Sequence, residues 1–173
     1  MAKAVARAPE IEFCLHVFGA PCQDVTGLSG NRKGVSGSRS SLLHETPRIR
    51  GILRRTLGKH CQLQEVCENV ASMSESDQAT YDKVMNCKPL RICPKHLGWV
   101  RRPRLFWVRS NPRAGTGVVM IPGKRYIDVQ LKARRMPLSR WLPRGWKLAK
   151  RDTIFPIFVR GAASASRRFY PQA

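Results

Sequence analysis

Acidic side chains are scarce in this chain. Eleven Asp and Glu stand against 32 Lys and Arg, for a net charge of +21 and a pI near 11.0. The shortage is concentrated in the second half. Residues 1–86 hold nine acids and eleven Lys/Arg, whereas residues 87–173 offset twenty-one Lys/Arg with Asp128 and Asp152 alone. A surface so poorly neutralised points to a polyanion as partner. Metal-ligand spacing is missing too. Cys14, Cys22, Cys61, Cys67, Cys87 and Cys93 include no C-x-x-C pair, and no two histidines stand at ligand spacing, so no metal is expected. No apolar run approaches the ~20 residues that would cross a bilayer. Met1 to Pro9 is short, basic and without an apolar centre, unlike a signal peptide. Reduced thiols in an intracellular protein are the expectation. There is no internal repeat.

What is present is enough to fold. With 173 residues, 42% hydrophobic and 8% aromatic, the chain suits one domain with a real core, or most of a larger one. After a leader at 1–10, Ile11 to Phe18 reads as a buried strand that ends in Gly19-Ala20-Pro21 and presents Cys22 at its tip. A loop from Gln23 to Ser41 follows, rich in Gly and Ser and carrying Arg32, Lys33 and Arg39. A flexible basic loop of this length can close over an anionic ligand. Leu42 to Leu57 has helical periodicity, with Pro47 in its first turns and Gly58 as its stop. Leu63 to Cys67 reads as a second strand running into Glu68-Asn69-Val70. Ser76 to Cys87 reads as a short helix capped near Ser74 or Ser76. Further strands are expected at Leu105 to Val108, at Val118 to Ile121 after Gly115-Thr116-Gly117, and at Tyr126 to Leu131. The basic, aromatic run from Arg134 to Arg151, with Trp141 and Trp146, gives no clear helix or strand signal. A last apolar piece spans Ile154 to Val159.

The carboxyl ends of neighbouring parallel strands form one edge of an α/β sheet, where ligands bind. Such an arrangement would turn Cys22 and Glu68 toward one pocket. A cysteine protease needs a histidine base, yet His16 lies within the first strand and His44 at the helix start. A thiolate paired with a carboxylic acid suits attack on an electron-poor ring instead: sulfur adds to carbon 6 of a pyrimidine, the acid hydrogen-bonds ring nitrogen 3, and carbon 5 becomes a nucleophile. A lone cysteine is ordinarily inert packing, and the arginines by themselves read as part of the general positive field. It is the ordered set around them that changes the reading.

F-G-A-P-C-Q, then N-R-K-G and G-S-R-S, then E-N-V, then R-P-R-L-F-W, in this order over residues 13–110, resembles the central motifs of the DNA (cytosine-5)-methyltransferases, most closely their de novo branch. The resemblance implies an α/β, Rossmann-like, S-adenosylmethionine-dependent methyltransferase domain. It makes Cys22 the nucleophile and Glu68 the group that binds and protonates the cytosine ring. Asn69 would hold the Pro21-Cys22 turn, and Arg102 and Arg104 would contact the base and its neighbours. Pro21 and Leu42 would border the methyl donor. Gln23, Arg32, Lys33 and Arg39 would belong to a loop that closes on DNA around an extruded base. Ile154 to Arg160 is faintly similar to a later motif that supports the DNA-reading region, which would place Arg160 near DNA.

The resemblance is partial. The family's cofactor pocket uses a glycine-rich turn after the first strand of its sheet and an acidic residue after the second. Only about a dozen residues precede the Pro-Cys strand here. Gly115-Thr116-Gly117 leads into a strand, so it cannot serve as the turn before a helix. The expected architecture is thus an incomplete methyltransferase domain: a partial catalytic core at 11–110 and a basic, irregular, target-recognition-like region at 111–173. The implied partners are DNA, in the nucleus, and a complementing or homologous methyltransferase subunit. Three other readings are a non-catalytic DNA-binding or partner subunit of the same fold, a transfer-RNA cytosine-5 methyltransferase, and a basic RNA-binding protein with chance motifs.

Overall fold

In a computed structural model of the chain, residues 11–98, 100–110, 113–132 and 144 are described, together with the backbone of two short strands at 146–148 and 169–171. They form a mixed α/β fold. Its centre is a six-stranded sheet of β1 (Phe13–Gly19), β2 (Gln62–Val70), β3 (Leu90–Ile92), β4 (Arg104–Val108), β5 (Val118–Pro122) and β6 (Ile127–Leu131). The strand order is β1-β2-β4-β3-β6-β5. β1 and β2 are parallel, in a register that sets Gly19 beside Glu68. β4 runs antiparallel to both β2 and β3, β6 is parallel to β3, and β5 closes the far edge as a hairpin with β6. Thus β5 and β6, drawn from the basic region, extend the same sheet. β7 (Trp146–Leu148) and β8 (Phe169–Pro171) pair antiparallel in a separate ribbon.

Two helices, α1 (Thr46–Leu57) and α2 (Glu75–Met85), lie against one face of the sheet. α1 sets Leu53 and Leu57 against Cys14 and Leu63, and α2 sets Tyr81 and Met85 against Cys67, Leu105 and Trp107. In the strand registers these partners all fall on one side. Tyr81 and Trp107 stack with their ring centroids 4.8 Å apart, and the Trp107 indole donates to Asp82 at 2.6 Å. Under α1, the buried Glu65 accepts from Arg50 and Arg109, and His16 stands 3.5 Å from its other oxygen. One carboxylate thereby ties together α1, β2 and the end of β4.

The helix predicted from Leu42 begins at Thr46, and residues 40–45 form 3₁₀ turns. Pro47 is the reason. It has no N–H to offer the Leu43 carbonyl, and its ring would collide with that carbonyl in a continuous α-helix. α2 starts one residue earlier than expected. Ser74 is its cap, accepting from the Asp77 amide at 3.1 Å. β2 runs through Glu68, Asn69 and Val70 rather than stopping before them. β3 was not anticipated: three residues with an arginine in the middle carry no periodic signal, and its neighbours β4 and β6 are what define it. Gly115 to Gly117 makes a turn into β5, while the hairpin itself closes at 123–126. Ile154 to Arg160 and Trp141 lie outside the described residues. Among those described, no helix is long and apolar enough to cross a membrane.

Candidate functional site

The parallel register of β1 and β2 builds the site. Gly19 ends β1 opposite Glu68, and three residues later Cys22 turns back over the end of β2. The Cys22 carbonyl accepts from the amides of Val25 and Thr26, at 3.2 and 2.8 Å, which makes the turn tight. A hollow of about 260 Å³ opens there. Cys22, Glu68, Asn69, Arg102 and Arg104 line it, together with the Gly19–Pro21 backbone and Gln23. All five residues that the sequence nominates for chemistry therefore meet in one cavity. A larger hollow of about 460 Å³ adjoins it, sharing Cys22, Gln23, Val70 and Arg104 and adding Leu28, Ser72 and Pro103. Cys22 stands between the two.

Glu68, Arg104 and Asn69 are each held by neighbouring groups. Arg104 Nε pairs with Glu68 Oε1 at 2.8 Å, which points the carboxylate along the cavity wall. Asn69 is 2% exposed, and its Nδ2 donates to the Ala20 carbonyl at 2.9 Å and to the Tyr81 hydroxyl at 2.8 Å. Its Oδ1 accepts from the Val70 amide. Asn69 thus fastens the backbone one residue before Pro21. Ser40 Oγ donates to the Pro21 carbonyl at 3.0 Å from the other side. Arg102 is exposed and lines the same cavity as the thiol, and among the described residues no carboxylate lies within 4 Å of it.

Two thiols lie close to the turn, but they differ in environment. Burial pushes Cys67 up to about 12, against a smaller opposite effect from its contact with the Ala20 backbone, so it stays a neutral core residue. Cys22 is partly exposed and opens to both hollows, which leaves it as the thiol placed to react.

The loop from Gln23 to Ser41 is more structured than its composition suggests. Asp24 accepts from the Arg39 and Ser40 amides, closing the loop on itself. Asp77, on α2, accepts from the Val35 amide at 2.9 Å, and Ser72 accepts from the Gly27 amide at 3.0 Å. Gly37 is required by close approach: a Cβ there would overlap the Asp24 carboxylate. Gly34 combines a φ of +65° with a similar approach to Asp77. Arg32, Lys33, Arg39 and Gln23 are exposed on this clasped loop, and among the described residues none of the three cations has a carboxylate within 4 Å. Arg160 is outside the described residues. Asp24, Ser40, Tyr81 and Asp77 went unnoticed in the sequence because each acts on a partner 12 to 42 positions away in the chain or through another side chain. Only the serine-capped start of α2 offered a local signal.

Pro21 and Leu42 also come together, in a third hollow of about 370 Å³ with His16, Phe18, Glu45, Arg48 and Ile49. Its one carboxylate, Glu45, is held by Arg48 Nε at 2.6 Å. Phe18, Leu42 and Ile49 offer an apolar wall that suits part of S-adenosylmethionine. Among the described residues no glycine-rich turn faces that wall, and Glu45 is already paired. The described residues fit one side of the cofactor and not the whole. Among known protein families, none has a sequence model that matches this chain.

Proposed function

We propose that this chain carries the target-base half of a DNA (cytosine-5)-methyltransferase active site. The observation that carries the reading is the single cavity shared by Cys22, Glu68, Asn69, Arg102 and Arg104. The fold in this reading is a Rossmann-like methyltransferase domain, supported by the parallel β1–β2 pair with its thiol and carboxyl at one sheet edge.

In this account Cys22 Sγ, as thiolate, adds to carbon 6 of an everted cytosine and a carbon–sulfur bond forms. The electron pair of the carbon 5–carbon 6 double bond moves toward nitrogen 3, where Glu68 supplies a hydrogen bond and a proton. Arg104 keeps the Glu68 carboxyl directed at that nitrogen, and Arg102 at the mouth meets the base or its phosphate. Asn69 and Ser40 hold the turn, so sulfur approaches without reorganisation. Carbon 5 is then a nucleophile. S-adenosylmethionine would supply the methyl group in the family this chain resembles. Because the residues here fit only part of it, no transfer step is assigned to this chain alone.

Duplex DNA carrying 2-pyrimidinone in place of one cytosine tests the addition step without cofactor, since that ring accepts a thiolate directly and carbon 5 takes a proton. The expected result is an adduct stable on a denaturing gel, absent in Cys22→Ser and retained in Cys67→Ser. Glu68→Gln should slow it on the order of 100-fold. No adduct with wild-type protein, or one that persists without Cys22, would sink the reading.

The half-built cofactor wall favours a second reading, a non-catalytic DNA-binding or partner subunit of the same fold. That reading expects tight duplex binding and no adduct. Competition between duplex DNA and transfer RNA separates both from the transfer-RNA methyltransferase alternative.

A further inference from the structure

β1 is the terminal strand of the sheet. It pairs with β2 on one side and, among the described residues, with no strand on the other. Exposed edges are normally defended by lysine, proline or a bulge, because unpaired N–H and C=O groups invite another chain. Phe13–Gly19 has none of these, and its register with β2 is unbroken over seven pairs. It presents large apolar residues instead: Phe13 is 55% exposed, Leu15 55% and Val17 61%.

These three alternate along the strand, so they share one face, the face opposite α1 and α2. Among the described residues no helix covers it, and in register it continues through Val66 and Val108, both only partly buried. On the helix side of the same edge, Leu42 at 56%, Ile49 at 36% and Ile52 at 38% are also exposed. Leu42 and Ile49 share a hollow with His16 and Phe18 of β1. Among the described residues, six of the ten exposed large apolar side chains thus gather around one strand, on both of its faces. A parallel pair is ordinarily covered on both faces. Among the described residues, this pair has no further strand beside β1 and no layer over the Phe13 face.

We propose that the open edge of β1 is an interaction surface for a second polypeptide with an acidic surface, which adds a strand beside β1 and lays an apolar layer over Phe13, Leu15 and Val17. The chemistry of the partner follows from charge. Arg54, Arg55 and Lys59 are exposed along and just beyond α1 with no carboxylate within 4 Å among the described residues, in a protein of net charge +21; Arg48 is paired with Glu45, and Glu12 stands before β1. A second copy would bring the same sign to the contact, whereas an acidic partner is drawn to it. None of Phe13, Leu15 and Val17 lines the Cys22 cavity, so this surface is independent of the chemistry there.

Photo-cross-linking from the full chain tests this in the source cells, with Leu15→benzoylphenylalanine as the probe and Ile121→benzoylphenylalanine, on the opposite edge strand β5, as the control. The polypeptide captured from position 15 is identified, purified and titrated against the chain. The expected partner is acid-rich and binds one to one, and salt weakens the complex. It slows exchange of the β1 amides that point away from β2 at least tenfold. Leu15→Lys with Val17→Lys should weaken binding at least tenfold. Both side chains are solvent-facing, and Leu15→Ser with Val17→Ser repeats the test should the lysine pair unfold the chain. The inference is overturned by any of four outcomes: no adduct at position 15, equal adducts at 15 and 121, outward β1 amides already slow to exchange in the isolated chain, or an adduct only with a second copy that also sediments as a dimer in high salt.

Discussion

Asn69 shows how much one buried amide can organise. It joins β2 to the Ala20 carbonyl and to the Tyr81 hydroxyl on α2, so the turn that presents Cys22 rests on the core stack of Tyr81 and Trp107. Asn69→Ala leaves a buried carbonyl without its donor and should cost about 2–3 kcal/mol, read as a lower midpoint in urea. Tyr81→Phe removes only the acceptor and should cost about 1 kcal/mol. If Asn69 positions Cys22, the alanine variant loses adduct formation with 2-pyrimidinone DNA by more than tenfold at a temperature where it is still folded, while Tyr81→Phe loses far less. Cys67 makes a different prediction. Burial raises its pKa to about 12, and burial also raises Cys87. Below the ordinary thiol pKa, the folded and unfolded states are both protonated there and nothing is lost. Above it the unfolded chain ionises first, so stability falls as pH rises from about 9 toward 12. The slope approaches about 1.4 kcal/mol per pH unit for Cys67, and Cys87 contributes in the same direction. Thermal melts across that range should show the decline, and Cys67→Ala should flatten it.

Among the elements, the loop between β1 and α1 departs furthest from expectation. Its glycines and serines suggest free movement, yet Asp24, Asp77 and Ser72 clasp it in three places. Gly34 and Gly37 let carboxylates approach, Gly27 lets the Ser72 carbonyl oxygen approach, and Gly30 alone of the four stands in open space. Gly37→Ala drives a methyl group into Asp24 and should cost about 2 kcal/mol. Limited proteolysis would then cut within 23–41 sooner than in the wild type, whereas Gly30→Ala, with open space around it, should leave cleavage unchanged. α1 illustrates the same point on a smaller scale. Its apolar spacing was visible from Leu42 onward, but Pro47 decided where the α-helical ladder could begin.

For the whole molecule, the uneven charge sets the behaviour. If the exposed cations of the loop and of the basic half neutralise six or more phosphates, the logarithm of DNA affinity should fall against the logarithm of salt concentration with a slope of roughly −5 or steeper. Filter binding or fluorescence anisotropy between low and moderate salt measures it, and a flat response would place the charge away from the interface. The sequence alone determined the chemical inventory: the cysteine after proline, the acid and asparagine one strand later, the paired arginines, and the surplus of positive charge. It also located most strands and both helices, because a two-residue or a 3.6-residue period is a local property. Only the tertiary structure decided that β1 and β2 run parallel in the register that brings Cys22, Glu68 and Arg104 to one cavity. It alone revealed β3, the support of Asn69 by Tyr81, and the bare edge of β1. Those depend on contacts between residues far apart in the chain, where no local pattern records which neighbour a side chain meets or lacks.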